Sequence, residues 1–449
     1  MADEVVRTTC CVVGGGPAGM MLGFLLARRG IQVTVLEKHK DFFRDFRGDT
    51  VHPSTLEVLH ELGLLNEFLQ LPHQKVRSAG LIFGDTAFEV ADFRWVPTSC
   101  KFVAMMPQWD FLNFLASHAQ RLPGFQLLLQ HDARNLLIAG DRVTGVSARN
   151  GDRDVEVRAD LVVGSDGRHS VTRSAAGLEV LGSGVPIDVL WFRISRRSDD
   201  PAQVLGNVNY GRALILINRG EYFQAGLIIP KGSYDEMKRQ GMDVFRILIA
   251  RIAPFLVDRV DELSDWDQVK ILTVQINRLR RWYRPGLLCI GDAAHAMSPA
   301  GGVGINLAIQ DAVAAANLLA GFLERRCIPL RALAAVQRRR EFPTRVTQAV
   351  QTFAHRGITR LFQIPGPVQP PWQMKLVLNL PGVHRALGYA VGVGARPEHV
   401  HEQPRVCLPK LRLPNIAYGI IGIAAAALDV GRAAWNSWGD AAAVASGRY

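Results

Sequence analysis

The chain has 449 residues, 48% hydrophobic and 21% charged, an ordinary globular balance with enough apolar material for a large core and more than one domain. A formal net charge of +11 and a pI near 9.6 raise the question of nucleic acid, but the arginines are scattered and no nucleic-acid motif is present. An electropositive cleft for an anionic cofactor, or attraction to anionic lipid, accounts for the charge better.

In chain order, "MADEVVRTTC" runs straight into a strand over 8–13 and does not resemble a signal peptide, so a reducing cytosol fits. The stretch "VVGGGPAGMM" (12–21) then leads into a helix over 20–28. In its pattern Gly14-x-Gly16-x-x-Gly19, Gly14 makes the turn, Gly16 lets a pyrophosphate approach the backbone, and Gly19 lets helix pack on strand. Pro17 and Ala18 complete this cofactor-binding turn, whose helix start offers bare amides and a positive dipole end. A second strand over 31–36 ends in Glu37 and Lys38, where a carboxylate suits ribose hydroxyls. The ligand is thus an ADP-containing cofactor, with NAD and FAD not yet separated.

Residues 43–68 read as a polar loop and a helix opened by Pro53 and Ser54. Residues 77–106 predict short strands, 108–122 a helix, and 125–130, 134–139 and 142–149 strands. "ADLVVGSDGRHSVTR" (159–173) is a strand ending in Asp166-Gly167, then a helix carrying Arg173. Residues 186–230 alternate as strands, and 242–260 predict an amphipathic helix. Residues 286–319 give a strand, Gly291-Asp292, a small-residue bend and a glycine-rich start to a long helix. An Asp at such a strand end can hold the ribityl hydroxyls of FAD, which NAD lacks. A helix beginning near Gly302–Gly304 would aim its positive end at the flavin N1–C2=O edge. The six cysteines show no metal spacing; Cys10, Cys11 and Cys289 fall in apolar strands as small core residues.

GGGPAG with Glu37, GSDGRHSVTR and GDAAHAMSPAGGVGIN occur in that order. On these motifs the chain, over roughly residues 5–345, resembles the single-component FAD-dependent aromatic hydroxylases typified by para-hydroxybenzoate hydroxylase and the ubiquinone-biosynthesis hydroxylases. The resemblance implies an α/β fold: a Rossmann-like FAD-binding domain with a mixed β-sheet substrate domain inserted, plus a helical C-terminal extension. The FAD-binding domain would cover 1–365 discontinuously, with inserted segments at about 76–106 and 183–274, leaving 366–449 as a helical region and apolar tail. It also implies non-covalent FAD, NADH or NADPH as co-substrate, and hydroxylation of a small aromatic molecule through a flavin C4a-hydroperoxide, with no metal.

By the same resemblance, Arg47 reaches the FAD phosphates, and Gln108 and Asp166 join the cofactor contacts. Asp292 is the ribityl ligand, while Gly302, Gly304, Ile305 and Asn306 meet the pyrimidine end. Pro299 would face substrate, and His169 and Arg173 match positions tied to nicotinamide-dinucleotide engagement, or else cap and neutralise a helix. The substrate pocket is expected between flavin and the 186–230 sheet, where Trp191, Arg193, Tyr222 and Gln224 alternate along two strands. Arg193 reads either as a binder of substrate carboxylate or phenolate or as half of a salt bridge. His52 and His295 read as a base near the flavin edge or as structural histidines.

Two other functions share these motifs: an FAD-dependent reductase or dehydrogenase, for example one acting on an isoprenoid, and a non-catalytic flavin-binding protein. The segment 413–445 is rich in Ala, Ile and Trp, but its uncharged stretch is short against the roughly twenty residues of a spanning helix. It fits peripheral attachment to the inner membrane, or a helix docked on the body or on a second subunit of a homodimer.

Overall fold

The structure is a computed structural model describing residues 3–43, 50–201, 204–364 and 366–401. Arg47 and the 413–445 segment lie outside those residues.

An eight-stranded sheet carries the nucleotide-binding half. Strands Leu287–Cys289, Arg153–Gly164, Glu4–Val13, Val33–Glu37 and Phe125–Leu129 lie side by side in that order, all parallel. Parallel strands are covered on both faces, and Cys10, Cys11, Val12, Leu161, Val162 and Cys289 are accordingly sealed from solvent. Asp132–Ala139 and Arg142–Asn150 add an antiparallel meander onto Arg153–Gly164. Helices Pro17–Arg28, Gln108–Ala119 and Gly304–Glu324 share the core on one face. The last is apolar and long enough to cross a bilayer, yet most of it is buried inside the protein, as befits a core helix.

A second sheet of seven strands runs Lys270–Thr273, Ile187–Ser195, Tyr222–Pro230, Arg212–Asn218, Val204–Asn209, Ser78–Phe83 and Thr86–Asp92. Two chain segments far apart in sequence thus meet in one sheet, through the parallel pairing of Val204–Asn209 with Ser78–Phe83. Its strands alternate. Leu190, Phe192, Leu214, Leu216, Phe223 and Leu227 pack under helix Met242–Ile252. Trp191, Ala213, Ile215, Ile217 and Ile228 line the opposite face, against Ile358, Leu361 and Val368. The Trp191 ring lies flat over Gly226, where a Cβ would fall 2.8 Å from Cζ3.

Two elements depart from expectation. The helix predicted over 242–260 stops at Ile252, because Pro254 has no N–H to donate and disfavours helical backbone at Ala253, which takes φ −131° and ψ 82°. Short 3₁₀ turns complete that stretch. Conversely, Leu330–Leu361 forms a 32-residue helix that apolar periodicity does not announce. Its buried stripe keeps helical spacing but turns polar after Val336, through Gln337, Arg340, Thr344, Gln348, Gln351 and His355, and Pro343 sits in its middle.

Beyond it, helices Trp372–Leu378 and Val383–Gly392 cover strand Thr86–Asp92, so closely that a Cβ on Gly388 would sit 2.0 Å from the Asp92 carbonyl oxygen. Residues 396–401 then strap back over the body. Glu398 takes Arg339 at 2.7 Å and Arg340 at 3.3 Å, and Val400 N–H donates to Glu61.

Candidate active site

The first glycine turn is a cradle with one open side. Gly14 has φ +103°, and a Cβ there would lie 2.5 Å from the Ser165 carbonyl oxygen; one on Gly19 would lie 2.0 Å from the Gly14 oxygen. Ser165 Oγ closes the back by donating to the Val13 and Gly14 carbonyls. A Cβ on Gly16 would meet nothing within 4 Å. The outer glycines are therefore consumed by protein packing, while the middle one faces space beside the uncapped first turn of helix Pro17–Arg28. A pyrophosphate needs that combination. Pro17 opens the helix and Ala18 is buried behind it. Glu37 plants its carboxylate next to this turn, accepting the Gly15 and His39 amides at 3.0 and 3.1 Å, with Lys38 exposed just beyond.

A second helix start converges on the same space. Gly291, at φ +58°, is wedged so that a Cβ would come within 3.2 Å of Ala18 Cβ and 3.3 Å of Ala308 Cβ. Only glycine lets helices Pro17–Arg28 and Gly304–Glu324 close on the Gly291–Asp292 turn. Gly304, Ile305 and Asn306 form the first turn of the second helix, so their amides lack intrahelical acceptors. The Asn306 side chain, expected at the flavin, is spent elsewhere. Its oxygen accepts the His52 N–H at 2.9 Å and the Thr55 hydroxyl at 2.7 Å, and its nitrogen donates to Gly302 and Thr50 carbonyls. Its backbone amide is what remains for a cofactor. Gly302, at φ +63°, packs on Thr50, whose hydroxyl donates to the Gly302 carbonyl. Pro299 is half-buried, and its carbonyl accepts the Gly302 N–H at 3.0 Å.

The bend before this helix is held by residues that the sequence reading missed. Gln351 accepts the Ser298 N–H at 3.0 Å and donates to the Ser298 and Ala300 carbonyls at 3.0 Å each. His355 Nε2 lies 2.9 Å from Ser298 Oγ, and burial pushes the His355 pKa down. The available signal was the run of polar residues at helical spacing, Gln348, Gln351 and His355.

The Asp166-Gly167 turn is tied into the protein by its own side chains. Asp166 accepts the Ser170 hydroxyl at 2.6 Å, the Thr172 hydroxyl at 2.8 Å and the Thr172 amide at 3.0 Å, so its carboxylate anchors helix Val171–Ala175. Arg173 is buried, donating to the carbonyls of Arg168 at 2.6 Å and Ala293 at 3.4 Å, which braces the turn. His169 is exposed at the turn. Asp292 stands at the seat with its Oδ2 accepting from Arg168 Nε at 3.2 Å. Charge-assisted bonds of a carboxylate to ligand hydroxyls are worth roughly 1.5–3 kcal/mol. Asp292→Ala is therefore expected to weaken FAD binding by about one to two orders of magnitude while the apo-protein stays folded. Flavin titration beside apo-protein melting checks this, and a variant with wild-type affinity would remove Asp292 from the site.

His52 and His295 are both buried and bonded within the protein. His52 is buried, its Nδ1–H held by the Val391 carbonyl at 2.8 Å, and burial pushes its pKa down to about 4 against the pull of that bond. A ring so enclosed does not meet the expectation of a base at the flavin edge. His295 is buried against Asp311 at 2.5 Å; Asp311 also binds Arg340 at 2.9 Å and the Gly291 amide at 3.0 Å. On the second sheet, register puts Trp191, Arg193, Gln224 and Tyr222 on one face, as Trp191 opposes Gly226, Arg193 opposes Gln224 and Ser195 opposes Tyr222. Trp191 and Gln224 are buried, Gln224 accepting from Arg219 at 3.2 Å. Arg193 instead is exposed, its guanidinium 5.1 Å from the Tyr222 ring centroid. Gln108 is half-buried at the start of helix Gln108–Ala119.

Residues 7–350 match the family described as FAD binding domain. Over 387 residues the chain is 32% identical to 6-methylpretetramide 4-monooxygenase of Streptomyces rimosus, covering 85% of this chain and 91% of that one. The chain belongs to the FAD-dependent aromatic monooxygenases. The monooxygenase shares its fold with OxyS anhydrotetracycline hydroxylase from Streptomyces rimosus, at TM-score 0.69 and 22% identity over 86% of this chain and 76% of that one. It likewise matches pqsL, a probable FAD-dependent monooxygenase from Pseudomonas aeruginosa, at TM-score 0.68 and 20% identity over 80% and 98%. Two further curated relatives are longer, and the chain spans 60% and 64% of their lengths. FAD is thus the monooxygenase's cofactor, and the cradle with its open Gly16 flank and paired helix starts suits it.

Proposed function

We propose that this monooxygenase uses NADH or NADPH and dioxygen to hydroxylate a largely apolar aromatic ring bearing a phenolic or similar activating group. One observation carries the placement. Within a single turn of helix Leu330–Leu361, His355 grips Ser298 beside the cofactor seat and Ile358 packs on the sheet face of Trp191, Ile215 and Ile217. The substrate is proposed to sit beside this helix turn, next to those two surfaces. Bound FAD supplies the reaction with dioxygen. The chain's part is to hold that cofactor at the two helix starts, to present the positive dipole end at Gly304–Asn306, and to keep water from the ring.

The wall's chemistry supports a largely apolar ring: isoleucines, an indole and the amide of Gln224, which Arg219 holds, with Arg193 exposed on Tyr222. A relative that matches most of this chain is named for oxygenation of 6-methylpretetramide at position 4. In this reading the FAD-binding domain covers 1–365, interrupted at about 76–106 and 183–274, and 366–449 is a helical region and tail. The reaction is placed in the cytoplasm. For the 413–445 tail the readings are the inner membrane surface, the body of the protein or a second copy of the chain; vesicle flotation tests the first, sedimentation the last, and neither signal is expected for the second.

The deciding experiment supplies ¹⁸O₂ with NADH or NADPH and a panel of phenols and hydroxyarenes. Substrate-stimulated NAD(P)H oxidation with one labelled oxygen in the product is expected. Reduction of the organic compound without label would favour a reductase, and absence of any NAD(P)H oxidation across the panel a non-catalytic flavoprotein.

A further inference from the structure

We infer that Arg168 is a positioning residue for FAD, holding the Asp292 carboxylate in place so that the Asp166-Gly167 turn serves the flavin seat through it. The inference rests on the FAD reading above and adds a residue which the motifs alone do not single out.

The turn is built to deliver this guanidinium. Gly167 takes φ +83°, and Asp166 ties the turn to helix Val171–Ala175. The Arg168 carbonyl is gripped by Arg173 at 2.6 Å, while the same buried Arg173 reaches Ala293, the residue after Asp292. The backbone under Arg168 is thereby braced against the loop that its side chain touches. Arg168 Nε donates to Asp292 Oδ2 and Nη2 to the Met297 carbonyl, each at 3.2 Å. One guanidinium so bridges the two ends of the bend that leads to Pro299–Gly304.

Asp292 keeps about a third of its side chain exposed (35%), so its remaining surface is accessible to ligand hydroxyls. The pairing has an electrostatic consequence too. An unpaired carboxylate in the seat would repel a cofactor carrying two phosphates, and the Arg168 cation cancels that charge at contact distance.

The test is a double-mutant cycle read as FAD affinity by flavin titration, with apo-protein melting alongside. Arg168→Gln and Asp292→Asn are each expected to weaken FAD binding about tenfold. The double variant is expected to fall no more than about threefold below the weaker single one, since Arg168 acts through Asp292. Arg168→Lys keeps a cation but cannot bridge Asp292 and Met297 together, so its loss should be about threefold, intermediate between wild type and Gln. Independent losses that multiply to about a hundredfold in the double variant would overturn the inference. So would wild-type FAD affinity in Arg168→Gln, whatever its melting temperature. Should Arg168→Gln not fold, Arg168→Lys decides alone, and wild-type affinity there rejects the role. Failure of the wild-type protein itself to bind FAD would instead strike the cofactor reading.

Discussion

Gly19→Ala and Gly16→Ala should both cost about a hundredfold in FAD affinity, but for opposite reasons that melting curves can tell apart. A Cβ on Gly19 lands 2.0 Å from the Gly14 carbonyl oxygen and 2.6 Å from Ser165 Oγ. Backbone must move there, so helix Pro17–Arg28 is driven off the turn and the apo-protein loses roughly 1–3 kcal/mol or more. A Cβ on Gly16 touches nothing within 4 Å, so Gly16→Ala should melt as the wild type does. Its methyl group occupies the space that a phosphate would take, and with about 1.4 kcal/mol per decade of affinity a loss near 3 kcal/mol is a hundredfold. Wild-type FAD affinity in Gly16→Ala would show that the pyrophosphate does not lie over this turn.

The second large effect is expected at Asp311. This fully buried carboxylate collects His295 at 2.5 Å, Arg340 at 2.9 Å and the Gly291 amide at 3.0 Å. Asp311→Ala leaves the Arg340 guanidinium with Glu398 as its remaining carboxylate, at 3.3 Å, and strips the acceptor from the amide before Asp292. Breaking a buried pair of this kind costs about 3–5 kcal/mol, so a fall in melting temperature on the order of ten degrees is expected. Burial alone would raise the Asp311 pKa, but His295 and Arg340 outweigh it and hold it below the usual carboxylate range. The carboxyl's folded value is thus lower than its unfolded one. Its stabilisation is present above the ordinary carboxylate pKa and is lost as pH falls through the folded value. Melting the wild type and Asp311→Asn from neutral to acid pH checks the sign. The gap between them should narrow on acidification, and a gap that widens would refute the assignment.

Glycines and strand-end carboxylates made much of the cofactor seat legible in the sequence. Gly14, Gly16, Gly19 and Glu37 announce themselves because backbone space and a terminal carboxylate need particular residue types at fixed spacing. Residues whose task is to hold other residues are harder to see. Asp166 and Asn306 are expected among the cofactor contacts, and Arg173 either at a nicotinamide dinucleotide or bracing a helix; their side chains bond to Ser170 and Thr172, to His52 and Thr55, and to backbone carbonyls respectively. A polar residue beside a motif carries no mark telling a ligand contact from a brace. The grip of Gln351 and His355 on the Ser298 bend leaves only a polar stripe at helical spacing in the sequence, and such a stripe of glutamine, arginine and histidine looks like a solvated face. On the second sheet the alternation of Trp191, Arg193, Tyr222 and Gln224 along two strands leaves their faces unfixed; the pairing register puts them on one face, with Arg193 outside on Tyr222.

The long helix Leu330–Leu361 constrains how this chain can diverge. At 1.5 Å per residue it is a beam about 48 Å long. Its fixtures are separate: Gln337 on the Trp282 backbone amide, Gln348 and Gln351 on the bend at Ala296–Ala300, and Ile358 and Leu361 on the far sheet. Inserting or deleting one residue between Gln337 and Gln348 would turn everything beyond it by about 100°, swinging amides off the bend and isoleucine off the sheet in one stroke. The helix's length is therefore fixed to the residue, while its outer positions, Arg338, Arg345, Val350 and Arg356, can drift. Among homologous chains, gaps should gather outside 337–358, and substitutions within it should follow the helical repeat.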